Sequence, residues 1–268
     1  IHTHVLFAAF DEDRDAVMAR AKEARVAMIN VGTDRDTSAV AIALAEKYEN
    51  AYATVGLLPI HTNKETYHDK NERNASAHET AKDGEIFDEA YYRSLAMHKK
   101  VVAIGECGLD FFRIENQESR IKQVDVFRKQ IELAIALDKP LMIHCRNAYS
   151  EVIKILTPYF MIHNSKLRGN VHFFAGTLDE AKLFLDLGFT LSFTGVITFA
   201  RQYDEVIKNA PLDMLMSETD APYVAPMPHR GKRNEPIYVV EVVKKIAEIR
   251  GESYEKVRET LVENAMRV

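Results

Sequence analysis

The chain opens IHTHVLF, which sets two imidazoles, His2 and His4, one residue apart. In an extended strand such a pair projects to one side, about 7 Å apart, close enough to share a metal ion. Residues of the same chemistry recur at the ends of short apolar runs further along. Glu106 closes VVAIGE, His144 stands near the end of PLMIHC, His172 lies within NVHFF, and Asp220 closes DMLMSETD. The other histidines, His61, His68, His78, His98, His163 and His229, fall in expected loops and helices. Burying imidazoles and carboxylates together costs several kcal/mol per charge unless they are paired or hold a metal. Four imidazoles and two carboxylates, with no thiolate required, suit Zn, Mn, Fe or Mg. Six donors exceed one tetrahedral ion with an open position and suit two divalent ions bridged by a carboxylate. Glu106, between the two sets of histidines, is the natural bridge. Two ions about 3.5–4 Å apart can acidify a shared water and stabilise both attacking and leaving oxygens, which is the chemistry of hydrolysis. Cys145 beside His144 points to the opposite face of a regular strand and reads as a packing residue.

These residues need a scaffold that brings distant strand ends together. Strand candidates lie at 25–32, 51–57, 101–106, 140–145, 170–174, 190–195 and 213–220, and the opening stretch reads as a truncated first strand. Amphipathic helical segments separate them, for example DEDRDAVMARAKEA, whose Val17, Ala21 and Ala24 share a stripe behind an acidic start. Two more helices follow, around 235–250 and 253–267. Strand–helix alternation at this length predicts a parallel α/β sheet, and eight repeats predict a single TIM-like (β/α)8 barrel over 1–268. A doubly wound sheet would show a glycine-rich phosphate loop after its first strand, and none is present. The polar stretch from Leu58 to Gly84 interrupts the rhythm. Following the third strand, it predicts a long loop over the C-terminal face, solvated or serving as a lid.

Composition limits the options. Apolar residues make up 47% of the 268 and charged residues 28%, as in an ordinary soluble globule. No apolar run has the length of a membrane span and no secretory signal opens the chain, so no membrane association is expected. The opening lacks methionine, and the first residues are expected to be missing or processed. Two cysteines are too few for a disulfide framework, which predicts a reducing cytoplasm. A net charge of -5 argues against gripping nucleic acid through a broad basic field. If the substrate carries phosphates, metal ions must attract them locally. No obligate protein partner is evident.

The stretches HTH (2–4), GECGLDFF (105–112), PLMIHCRNA (140–148), NVHFFAG (170–176), GFTLSFTGVITF (188–199) and SETDAPYVAPMPHRGKRNEP (217–236) resemble, in order and over essentially the whole chain, the TatD-like metal-dependent deoxyribonuclease family. The resemblance implies a (β/α)8 metallo-dependent hydrolase with one or two divalent ions and phosphodiesterase activity on DNA. It implies that His2, His4, Glu106 and Asp220 hold one ion, and that Glu106, His144 and His172 hold the other. Asp220 would also take the proton of the attacking water. Glu218 matches the family's ETD acid and would support the site, touch a metal or serve as a structural acceptor. Arg146 would reach a phosphate or pair with an acid. The loop with His229, Arg230, Lys232 and Arg233 would position phosphate, Arg230 or Arg233 by clamping it or by bracing against Glu235.

The chain also departs from the family, which usually has histidine–proline–histidine after the third strand. Here GLLPIHT puts Leu58 and Ile60 at those places, and His61, one residue beyond, would substitute for the missing histidine at the phosphate. The leading expectation is a 3′ exodeoxyribonuclease acting on DNA or a nucleotide substrate. One alternative is an amide or ester hydrolase of the deacylase kind. Such enzymes commonly bridge their ions with a carboxylated lysine, and Glu106 with the basic loop favours phosphate instead. The other alternative is a degenerate member that binds metal or nucleic acid with little turnover.

Overall fold

All seven apolar runs after the opening form strands, and they lie side by side in chain order as one curled parallel sheet. They are β1 (Met28–Val31), β2 (Ala51–Val55), β3 (Val101–Asp110), β4 (Leu141–Arg146), β5 (Gly169–Val171), β6 (Phe189–Phe193) and β7 (Leu215–Ser217). The computed structural model describes residues 1–63, 69–72, 84–112, 114–163 and 166–268. Of the long polar stretch, 64–68 and 73–83 lie outside the described residues, His68 and His78 among them.

Helices fill the connections: α1 (Arg14–Glu23), α2 (Arg35–Lys47), α3 (Glu89–Ala96), α4 (Gln117–Leu137), α5 (Tyr149–His163), α6 (Leu178–Asp186) and α7 (Asp204–Asn209). After β7 come α8 (Val239–Arg250) and α9 (Tyr254–Arg267). Their starts are chemically marked. Asp34 and Thr37 form a reciprocal capping box on α2, as Thr177 and Glu180 do on α6. Asn116 caps α4 through its side chain. Helices on the outside bury the strands on both faces, so all five residues of β6 are buried.

The eight-stranded expectation needs correction. The opening stretch adds no strand; Thr3 alone bridges Asn30 of β1 on one side and Ala221, past β7, on the other. Thr3 N–H donates to the Ile29 carbonyl at 3.1 Å, and His4 N–H to that of Ala221 at 2.7 Å. The chain then leaves at once: Val5 N–H takes the Asn30 side-chain oxygen, and Phe7 N–H turns back to the His4 carbonyl. A ladder needs successive pairs, and this turn leaves room for one.

Strand β3 is longer than its expected end at Glu106. Its pairing with β4 slips between Ile104 and Cys107, the kind of irregularity that re-aims a side chain. Beyond the slip, Gly108 faces His144 and Asp110 faces Arg146. Gly108 has φ +134, and a Cβ there would lie 2.0 Å from the His144 carbonyl oxygen. Only glycine lets β3 run close enough to β4 for Glu106 and Asp110 to reach His144.

Candidate metal centre

The structure brings the six strand-end residues into one buried cluster at a cavity of about 1200 Å³. Residues 2–4 supply two imidazoles from the seam between β1 and the segment after β7. His2 Nε2 and His4 Nε2 lie 3.0 Å apart. Asp220 Oδ1 is 3.7 Å from the first and 3.5 Å from the second, and Glu106 Oε2 is 3.5 and 3.8 Å away. The other oxygen of Glu106, Oε1, faces His144 Nδ1 at 2.8 Å and His172 Nε2 at 2.9 Å. Those two nitrogens are 3.4 Å apart. Glu106 therefore spans two sets of donors, one oxygen to each.

The outward nitrogens fix what the inward ones present. His4 Nδ1 lies 2.9 Å from the Val31 carbonyl, which only accepts, so Nδ1 holds the hydrogen and neutral Nε2 offers a lone pair. His144 Nε2 faces Asp110 Oδ2 at 3.0 Å, and His172 Nδ1 faces Glu218 Oε1 at 3.5 Å. With His4 and His144 donating outward, and His172 Nδ1 without a hydrogen bond but facing the Glu218 carboxylate, the inner imidazole nitrogens and carboxylate oxygens point at one another. Such a donor set fits a divalent cation on each side of Glu106.

The field has the same sense. Burial opposes charge on His172 and His4, yet carboxylates raise both, Glu106 acting on His172 and Asp220 on His4. His144 is likewise raised against burial, by Asp110 and Glu106. Burial also opposes the Glu106 anion, but His172, His144 and His2 hold its carboxyl well below the usual range. His2 is lowered, by burial first and by His172 second. The metal-free site thus draws protons where it would otherwise draw metal.

Glu218 is fully buried behind this layer. It accepts from Phe173 N–H at 2.7 Å and from the Ser192 hydroxyl at 2.6 Å. Despite burial, its contacts to His172 and Ser192 push its carboxyl down to about 2. Cys145 is buried too, and burial pushes its thiol up, away from nucleophilic use.

The TatD related DNase family matches residues 1–268. The chain belongs to that family. It is 36% identical over 270 residues to the uncharacterized metal-dependent hydrolase YabD of Bacillus subtilis, covering 100% of this chain and 96% of that protein. It is also 36% identical over 278 residues to the 3'-5' ssDNA/RNA exonuclease TatD of Cronobacter sakazakii, covering 100% and 96%. Among solved structures it is similar to YJJV, a TatD homologue from Escherichia coli, with a TM-score of 0.80 and 28% identity, covering 98% of this chain and 94% of that one.

In this TatD-family chain the substrate-side residues expected from the sequence are dispersed. Arg146 lines the cavity. His61 turns away, with Nδ1 on the Thr33 carbonyl at 3.1 Å and Nε2 on Glu72 at 3.3 Å. Arg233 grips Asp13 at 2.7 Å and also meets Glu235. Arg230 stacks over Phe199, and His229 over Tyr238. None of these four is among the described residues lining the cavity. Leu58 and Ile60, at the places of the family's histidines, do line it, as do Asp69 and Glu72. Sequence reasoning missed Asp110, whose signal was the alternation of Glu106, Gly108 and Asp110 on one strand face. It also missed Glu72, for which no local pattern exists.

Proposed function

We propose that this TatD-family chain is a divalent-metal-dependent hydrolase that removes nucleotides from the 3′ end of single-stranded DNA. The observation that supports it most is Glu106 turning one oxygen to His2 and His4 and the other to His144 and His172. His2, His4, Glu106 and Asp220 would hold one ion, and Glu106, His144 and His172 the second, with Zn, Mn or Mg as candidates. When bound, such ions polarise the phosphoryl oxygens and acidify water at neutral pH. Asp220, open to the cavity, accepts the proton of the attacking water as its oxygen bonds to phosphorus and the bond to the leaving oxygen breaks. Asp110 and the Val31 carbonyl hold His144 and His4 in the tautomer that keeps their inner nitrogens free, and the Glu218 carboxylate stands behind His172. Arg146 meets the substrate. The segment 2–4, bonded to both β1 and the chain after β7, is read as the eighth stave of a closed barrel, and the chain as one domain. Two buried, free cysteines suit a cytoplasmic setting.

The test is an end-labelled single-stranded oligonucleotide incubated with Mn, Mg or Zn. Mononucleotide release from the 3′ end is expected, stopped by chelator and reduced roughly 10³-fold in E106Q, where one bridging charge is lost. Metal-loaded protein that leaves every phosphodiester intact would overturn the reading.

A further inference from the structure

Two cations line the cavity, Lys122 and Arg146, and neither has a carboxylate at ion-pair distance among the described residues. Arg146 has an unusual seat. Its guanidinium carbon lies 3.6 Å above the centre of the Phe112 ring, although the residue is exposed. That separation is the thickness of two stacked π-systems, the spacing at which a guanidinium can rest its face on a ring. One face is covered by Phe112, and both residues line the cavity. Ile114 and Phe173 line the same cavity and add apolar wall, poor company for a phosphate and good company for a base.

The seat is tied to the metal-ligand cluster. Arg146 is the last residue of β4, and its carbonyl accepts from Phe111 N–H at 2.9 Å. Phe112 N–H donates to Asp110 Oδ1 at 2.9 Å, while Asp110 Oδ2 holds His144 at 3.0 Å. One carboxylate therefore sets both the ring of His144 and the loop beneath Arg146.

We propose that Phe112 and Arg146 form a stacking platform for the nucleobase beside the cut phosphodiester. This rests on the nuclease reading above. The guanidinium acts through its face, as the upper layer of a phenyl–guanidinium–base stack, and sets specificity for strands that still bear bases.

The experiment compares a short oligothymidylate with a strand of the same length whose terminal nucleotides are abasic, using metal-loaded wild type, R146K and F112A. Wild type is expected to cut both, with KM about tenfold lower for the base-bearing strand, the size of one base stack. R146K keeps the charge but cannot stack, so it loses that preference. F112A, which removes the lower layer, loses the preference as well. If R146K and wild type prefer the base-bearing strand equally, or if wild type shows no preference, the platform is overturned and the nuclease reading stands. If wild type cuts neither strand, the nuclease reading itself falls, and the platform with it.

Discussion

Asp110 touches both the ring of His144 and the backbone of Phe112, and its removal separates orientation from charge. In D110N the amide can still accept from Phe112 N–H, which preserves the loop. Its NH₂ then faces His144 Nε2, which must accept instead of donate, and the ring hydrogen moves to Nδ1, opposite Glu106 Oε1. The lone pair that His144 would lend a metal is lost. Metal affinity is expected to fall about 10–100-fold, as for other partners of metal-ligating histidines, with little change in melting temperature. Titration of the metal-free protein with Mn or Zn measures this, and unchanged affinity would refute the orienting role. The six residues of the cluster were legible because each is an ionisable side chain within or at the end of an otherwise apolar run, where burial without a partner is too costly. Asp110 was hidden because the strand was expected to stop at Glu106. The close pairing that Gly108 allows carries β3 four residues further.

At the scale of elements, the seven strands and the helices between them follow from local pattern, and their existence was readable even where their ends were not. The long polar stretch was readable only as an interruption. Its residues 69–72 are tied down by partners far away in sequence. Ala8 and Ala9 N–H groups donate to the carbonyls of Glu72 and Asn71, the Thr33 hydroxyl donates to Glu72 at 2.5 Å, and the Tyr223 hydroxyl donates to Asp69. No periodicity encodes such contacts. The His61–Glu72 pair anchors this segment, with side chains 16% and 8% exposed. Burial opposes both charges, but each partner outweighs it, so Glu72 is lowered below 4.5 and His61 is raised above 6.5. The Glu72 contribution is complete above pH 4.5 and is lost as pH falls through the depressed value. The His61 contribution is complete below pH 6.5 and is lost as pH rises through the elevated one. The anchor should therefore hold best between those limits. Replacing Glu72 by Gln strands a buried imidazole and is expected to destabilise by about 3–5 kcal/mol near pH 5.5, and by less above the raised His61 value. Denaturant unfolding across that range would show the difference; a pH-independent loss would mean that the pair is not the anchor.

The described residues form a curled seven-stranded sheet in which residues 2–4 bond to β1 and to the segment after β7, and those residues also bring His2 and His4 to the cluster. The sequence suggested eight strands because HTH alternates like a strand. What it could not show is that the chain turns away after His4, so that the seam rests on a few backbone hydrogen bonds and on whatever joins the imidazoles to Glu106 and Asp220. Metal binding should therefore stabilise the entire fold, since both sides of the seam contribute donors. At a free metal concentration about 100 times Kd the gain is about 2.7 kcal/mol, or a melting temperature raised by about 5–10 °C for a domain of this size. The sign of its pH dependence follows from the imidazoles. His4, His144 and His172 are raised above 6.5 without metal, so the folded apo-protein keeps protons on them to higher pH than free imidazoles would. A proton there stabilises the metal-free fold below pH 6.5, and that help disappears as pH rises through the elevated values. A metal must displace the same protons to bind, so its affinity climbs over the same interval. These are one linkage seen from two sides: the melting temperature of loaded protein minus that of metal-free protein should widen as pH rises and level off once the imidazoles are neutral. Calorimetry with and without chelator across pH 5.5 to 9 reads this gap directly. A gap that narrows with rising pH would mean that the ions bind away from these histidines.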